Sequence, residues 1–298
     1  MDNMDEVIKR LLPEIDMVLA ELAAKRSADR LAHYSWLESN WDRICQAAFG
    51  PLEAELAQLK ANTTTTGLWH VLNSEVDLLG PLDQQYREVA HTQSLAYLFN
   101  PTESHGLKGE VLRLFLKHLL PIAALWPKLQ YASTHIADMA EEADKAEVEA
   151  ERMFENDDKV RGRTDLWIET PKDSPKNILL TEMKVGMAVS SQQLERYERA
   201  LAARLGELDL AADAAIKVLL TYEVPHPGQY PGWFVVHWRK MAAALAPACV
   251  NPTSGGIFLK FYLATILKRI ENIQIEPSTL KGKLRLRDVL RVAMEDLG

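Results

Sequence analysis

Cysteine is scarce in this chain of 298 residues, with Cys45 and Cys249 the only two. They lie far apart in unrelated contexts and offer neither a disulfide framework nor the spacing of a zinc site. That fits a reducing cytoplasm, with both thiols acting as small core side chains. No apolar run reaches the roughly 18 residues of a membrane-crossing helix, so no membrane partner is expected. The opening "MDNMDEVIKR" is acidic and lacks an apolar centre, so it does not read as a signal peptide. Internal repeats are absent too. Basic charge is also short: 34 Lys and Arg face 42 Asp and Glu, a net charge of −8. Taken alone, that balance argues against a polyanionic partner.

The shortage of bases is local. Between Asp138 and Asp158 ten acids face two bases, Lys145 and Arg152, so the rest of the chain carries 32 of each sign. A neutral body can still hold a basic groove. The acidic segment itself is expected either to repel or mimic nucleic acid or to form a solvated insertion. The remaining composition, 47% hydrophobic and 26% charged, is that of an ordinary soluble globular protein. The length suits one large domain, or one domain with a substantial extension.

Apolar residues at helical spacing (Val7, Leu11, Ile15, Val18, Leu19, Leu22) predict a helix near the start. A second helical stretch runs from about Ala28 to Phe49, and Pro51 opens a third. The polar break "NTTTTG" is the first boundary expected. The domain reading is an N-terminal helical extension over 1–62, a core over 63–250 and C-terminal helices over 251–298 packed on that core. The extension would be structural, or a docking surface for a protein partner or for self-association. Within the core a helix is expected from Asp83 to Asn100-Pro101, and "EVLRLFLKHLL" as a helix stopping at Pro121. A strand is expected near Glu147–Phe154. The segments "RTDLWIET" and "NILLTEMKV" follow as strands joined by the turn "PKDSPK". A helix "SSQQLERYERALAARL", capped by Ser190 or Ser191, precedes strands "AIKVLLTYE" and "WFVVHW". "SGGIFLKFYLATILKRI" and "LRDVLRVAMEDL" close the chain as helices. This order indicates an α/β core.

One strand is chemically odd. In "NILLTEMKVG" a charge pair, Glu182 and Lys184, interrupts an apolar run. Side chains two apart on a strand share a face, so the two are neighbours where Val or Leu should continue. If the hairpin forms, Asp165 of "GRTDLWIE" sits alongside Glu182. Two buried carboxylates together are costly unless a cation lies between them. A divalent metal such as Mg²⁺ resolves this, because it is held by one or two carboxylates plus waters and phosphate oxygens. The lysine then faces the attacking water and the phosphate, where it offsets developing charge. A Glu-x-Lys pair alone also reads as a solvated edge. The ordered set, Asp then Glu-x-Lys on consecutive strands, favours the site.

That ordered set resembles the PD-(D/E)XK nuclease superfamily. Asp165 takes the place of its metal-binding Asp, and Glu182 and Lys184 that of its E-x-K. Gln193 and Tyr197, one helical turn apart, are similar to the Q-x-x-x-Y of RecB-like members. Glu88 in "REVAHTQSLAYLFNP" is similar to the family's first acidic residue. The strings "LAYLFNP", "GRTDLWI", "LLTEMKV" and "VLLTYEVPHPGQYPGW" extend the likeness to a bacterial subgroup, over roughly 84–245. Thr164 stands where the motif has Pro, and Thr181-Glu182-Met183-Lys184 where Ile-Glu-Asn-Lys is more usual; neither change removes a chemical group. The resemblance implies a restriction-endonuclease-like α/β core and a Mg²⁺- or Mn²⁺-dependent nuclease. It also implies DNA as substrate and, through the subgroup, a role in antiviral defence. Asp165, Glu182 and Glu88 would hold metal, Lys184 would serve the water, and Gln193 would position water or phosphate.

Other residues leave alternatives open. Arg161 and Arg163 flank the Asp165 strand and either reach phosphates or are solvated. His105 either contacts a phosphate or satisfies backbone groups of its own loop. Tyr197 is half core and half site, Glu151 and Glu155 are candidate extra acids, and Trp233 and Trp238 read as core. The basic tail "KGKLRLRDVLR" either contacts phosphates or forms a solvated helix face. Two rivals remain: a catalytically inactive member binding nucleic acid or a protein, and an unrelated α/β scaffold.

Overall fold

The computed structural model describes residues 67–273, except 75, 156–160, 187–188 and 223–228, together with 13, 17, 54, 56–58 and 61. The chain divides into two compact units, Met1–Leu59 and Lys60–Gly298. In the first, all the described residues are helical. Most of the expected N-terminal helices, the basic tail and "LRDVLRVAMEDL" lie outside the described residues.

The second unit is built on two strands buried at every position, β4 (Leu166–Thr170) and β5 (Asn177–Met183). Such uninterrupted burial requires cover on both faces. They pair antiparallel across the Pro171–Lys176 turn, which closes with the Lys176 N–H donating to the Thr170 carbonyl at 2.9 Å. The edge strand β1 (Glu147–Ala150) runs antiparallel to β4. Strands β6 (Ala215–Thr221) and β7 (Phe234–His237) extend the sheet in parallel beyond β5. The five-stranded order is therefore β1-β4-β5-β6-β7, a mixed sheet. A separate two-stranded ribbon, β2 (Met153–Glu155) with β3 (Arg161–Arg163), projects between β1 and β4.

The helices are α1 (Leu68–Leu72), α2 (Glu88–Phe99), α3 (Glu110–Leu125), α4 (Ala132–Glu141), α5 (Ser191–Glu207), α6 (Trp238–Leu245) and α7 (Ser254–Thr265). Helix α5 makes the crossover from β5 to β6. Ser190 caps it, its Oγ accepting the Gln193 N–H at 3.2 Å, as one of the two expected serines. Leu194, Tyr197, Leu201 and Leu205 recur at helical spacing and pack on Trp167, Ile178 and Leu180 of the sheet. Each buried leucine contributes about 1.5–3 kcal/mol. On the opposite face Thr92 of α2 meets Met183, and His135 of α4 bonds the Asn177 side chain at 2.7 Å.

Four local expectations change. The helix expected from Asp83 begins at Glu88, because Asp83 takes a left-handed φ of 53° that ends a short 3₁₀ turn, Gly80–Leu82. Helix α3 runs past Pro121 to Leu125. Pro121 is exposed, so the carbonyl it leaves without a helical partner faces water. The strand expected over Glu147–Phe154 breaks at Glu151, whose φ is 55°. "RTDLWIET" breaks likewise into β3 and β4 at Thr164-Asp165. At that double break the Glu151 N–H donates to the Asp165 carbonyl at 2.8 Å, and the Thr164 N–H to the Arg152 carbonyl at 3.0 Å.

The acidic segment is tied into the structure. Asp144 accepts the Gly109 N–H at 2.8 Å ahead of α3 and pairs with Arg113 at 2.8 Å. The Gly109 N–H, more than Arg113, holds its carboxyl below the usual range. Glu142 pairs with Lys145, Glu147 with Lys172, Glu149 with Arg152 and Glu151 with Arg163. Among the described residues, five of these acids therefore have a cation partner.

Candidate active site

The register that aligns Leu166 with Thr181 brings the next pair, Asp165 and Glu182, side by side at the end of the hairpin. Both face α5, as do Trp167, Leu180, Glu169 and Ile178 further along. Asp165 Oδ2 accepts the Met183 N–H at 2.7 Å, which locks the carboxylate over the end of β5. Lys184 follows immediately. Its N–H donates to the Leu220 carbonyl at 2.8 Å, and its own carbonyl accepts Trp238 Nε1 at 2.9 Å. The backbone of Lys184 is thus held on two sides.

Its ammonium lies between two carboxylates, 2.6 Å from Glu182 Oε1 and 3.1 Å from Glu88 Oε2. Glu88 arrives from the first turn of α2, where the helix dipole favours an anion, and its Oε1 accepts the Val185 N–H at 3.3 Å. From the other side Gln193 Nε2 donates to Glu182 Oε1 at 2.6 Å and to the Tyr197 hydroxyl at 2.6 Å. Asp165, Glu182, Lys184, Glu88, Gln193 and Tyr197 therefore form one cluster at the carboxyl end of the parallel strand β5. Ligands of open α/β sheets bind at such strand ends.

Charge in this cluster is out of balance. Glu182 is fully buried. Burial first, then the neighbouring Asp165, push its carboxyl from 4.5 up to about 8, and Lys184 offsets only part of this. Burial also raises Asp165, against the opposing Met183 N–H. Lys184 is raised: burial opposes its charge, but Glu182 and Glu88 overcome that. Burial and the nearby Glu182 raise the Tyr197 hydroxyl. Glu182 Oε2 is buried with no hydrogen-bond partner among the described residues. An orphaned carboxylate oxygen beside a second carboxylate is a fitting donor set for a hard divalent cation. Among the described residues no group of three His, Cys, Asp or Glu side chains forms a ready cage. A cation here would draw on waters or substrate oxygens for its other ligands.

A pH dependence follows. The folded Glu182 carboxyl, at about 8, keeps a proton that the unfolded chain, near 4.5, has released. That contribution to stability is full below the unfolded value and is lost as pH rises through the folded one. In EDTA the melting temperature is expected to fall between pH 5 and pH 8.5, and Glu182→Gln is expected to flatten the fall. Equal slopes for the two proteins would show that Glu182 titrates normally.

The remaining candidates are placed as follows. Arg163 pairs with Glu151 at 2.8 Å on the ribbon leading to Asp165. The backbone of Arg161 is in β3, and the side chains of Arg161 and Glu155 lie outside the described residues. Glu151 turns to Arg163 rather than joining the cluster. His105 is fully buried: its Nδ1 accepts the Leu107 N–H at 2.9 Å and its Nε2 meets the Asn100 carbonyl at 2.9 Å. No ring nitrogen is left for a phosphate, so of the two readings of His105 the backbone one holds. Trp233 and Trp238 are buried, as expected of core. The role of Trp238 in holding Lys184 was not legible in the sequence, because 54 positions separate them. Glu169 was missed although a signal existed: it is a second charge on the buried face of "DLWIE".

Fold and cluster together define an α/β protein with an acidic, lysine-bearing site at the carboxyl end of a central strand. A model of the PD-(D/E)XK nuclease superfamily matches residues 76–231, more than half of the chain, and the chain belongs to that superfamily. Its sheet is the restriction-endonuclease-like α/β core. Membership supports nuclease activity in general, and nucleases of this superfamily generally use divalent metal ions. No curated protein and no solved structure matches the chain significantly. Among the described residues no helix is long and apolar enough to cross a membrane.

Proposed function

We propose that this chain is a Mg²⁺- or Mn²⁺-dependent nuclease that hydrolyses phosphodiester bonds of DNA, acting in the cytoplasm in bacterial antiviral defence. The observation that carries the reading is Glu182: a fully buried carboxylate with one orphaned oxygen, set between Asp165 and Lys184. Asp165 and Glu182 would hold the cation, with Glu88 assisting. When bound, the cation stabilises negative charge on the phosphate as a Lewis acid. Lys184 donates to the oxygen of the attacking water and offsets charge developing on the phosphate. That oxygen bonds to phosphorus and the bond to the leaving sugar oxygen breaks; the water gives up a proton to solvent, and the leaving oxygen takes one from solvent to become a hydroxyl. Gln193 holds Glu182 and positions water or phosphate, and Tyr197 supports Gln193 from below. Arg161 and Arg163, on the ribbon that leads to Asp165, are the proposed phosphate contacts.

The test is incubation of the purified chain with supercoiled plasmid, linear duplex, single-stranded DNA and RNA, in Mg²⁺, Mn²⁺ or EDTA. DNA cleavage that requires the cation is expected. Cleavage of RNA alone would overturn the substrate. Intact substrates under every condition would leave an inactive member that binds nucleic acid or a protein.

A further inference from the structure

The buried face of β4 carries a second carboxylate that the proposed chemistry does not use. Glu169 is 4% exposed. Its Oε1 accepts Trp167 Nε1 at 2.9 Å, Arg204 Nε at 2.9 Å and Arg152 Nη1 at 3.2 Å, and its Oε2 accepts Arg204 Nη2 at 2.9 Å. The Arg204 contact is a two-pronged fork; Arg204 also reaches Glu207 at 3.0 Å. Arg152 in addition stacks over the Trp167 ring, 4.7 Å from its centroid. Burial opposes the charge of Glu169, but Arg204, Trp167 and Arg152 hold its carboxyl below the usual range.

The two cations lead to opposite sides of the site. Arg204 is on α5, which also carries Gln193 and Tyr197. Arg152 is in the break after β1, and its carbonyl accepts the N–H of Thr164, next to Asp165. Asp165 and Glu169 lie about 13 Å apart on one face of the sheet, at 3.3 Å per residue. Gln193 and Arg204 lie about 16 Å apart along α5, at 1.5 Å per residue. Helix α5 is therefore pinned near both ends to carboxylates of the same sheet face, Gln193 to Glu182 and Arg204 to Glu169.

We infer that Glu169 is a positioning residue that sets the register of α5 and of the Asp165 segment, and so holds Gln193 and Asp165 in the geometry of the site. The inference rests on the nuclease reading of that site. Stability alone does not account for the arrangement, since buried ion pairs are often no better than apolar packing of the same volume. An arginine fork supplies direction instead, because its two parallel bonds tolerate little sliding. Leucine packing along α5 would permit a shift. At 2.6 Å, the Gln193–Glu182 bond is lost when the donor moves by about 1 Å.

Glu169→Gln keeps the shape and weakens the fork; Arg204→Lys keeps the charge and removes the fork. Each is expected to lower kcat by about 10- to 100-fold, as misplacements near 1 Å do, with KM within about twofold. In a Gln193→Ala background the same substitutions are expected to cost much less, because part of what they disturb is already gone. Hydrogen exchange supplies a readout independent of activity. Amides of residues 193–197 and 164–166 are expected to exchange about tenfold faster in Glu169→Gln, with those of β6 unchanged. Unchanged kcat, a full loss in the Gln193→Ala background, or acceleration spread equally over β6 would each overturn the inference. If the parent cuts no nucleic acid, the nuclease reading fails and exchange alone decides the clamp.

Discussion

Lys184→Ala is expected to lower kcat by about two to three orders of magnitude while the protein still binds Mn²⁺, the size of effect seen when one electrostatic stabiliser is removed. The ammonium lies 2.6 Å from Glu182 and 3.1 Å from Glu88, and its backbone is fixed by Leu220 and Trp238. Alanine keeps both backbone bonds and deletes the ammonium together with its largely buried stem. The loss falls on the chemical step because this interaction is strongest in the transition state. Removing one member of a buried pair usually costs about 3–5 kcal/mol. Here the partner has an escape: the Glu182 carboxyl, already pushed up to about 8, takes a proton at neutral pH. The variant is therefore expected to be destabilised more at pH 9 than at pH 6 in EDTA. Single-turnover cleavage, Mn²⁺-dependent melting and melting at the two pH values check this. Undiminished cleavage would remove Lys184 from the mechanism.

Asp165→Asn and Glu182→Gln are expected to abolish both cleavage and the stabilisation by Mg²⁺ or Mn²⁺. Ligand binding to the folded state alone raises the melting temperature by mass action, so losing the site removes the shift. In EDTA the sign reverses. Both carboxylates are raised by burial, and Glu182 further by Asp165, so above pH 8 the folded protein carries repulsion that an amide lacks. Glu182→Gln is expected to melt higher than the parent there. Asp165→Asn keeps an oxygen for the Met183 N–H, which preserves the hairpin end. Variants that retain full cation-induced shifts would place the metal elsewhere.

The central hairpin was legible because its logic is local. Strand parity alone makes Glu182 and Lys184 neighbours, and a turn as short as "PKDSPK" leaves little freedom of register, so Asp165 falls beside Glu182. The α5 face was equally readable, since Gln193 and Tyr197 are one helical turn apart. Element ends were not. Asp83 and Glu151 adopt left-handed backbone that no composition at those positions announces, and Pro121 is tolerated only because its side of α3 faces water.

By itself, then, the amino-acid order determined which charges interrupt buried strands and which side chains share a face, because periods of 2 and 3.6 residues act over a few positions. Tertiary structure alone decided how those charges are partnered. Glu88 reaches Lys184 across 96 positions, Trp238 reaches its carbonyl across 54, and Arg204 closes on Glu169 across 35. His105, whose side chain a sequence leaves free for phosphate or for backbone, is consumed by backbone once its loop is buried. The physical reason is the same in each case. A buried charge or polar atom must find a partner, and which one it finds depends on the elements packed against it rather than on its neighbours in the chain.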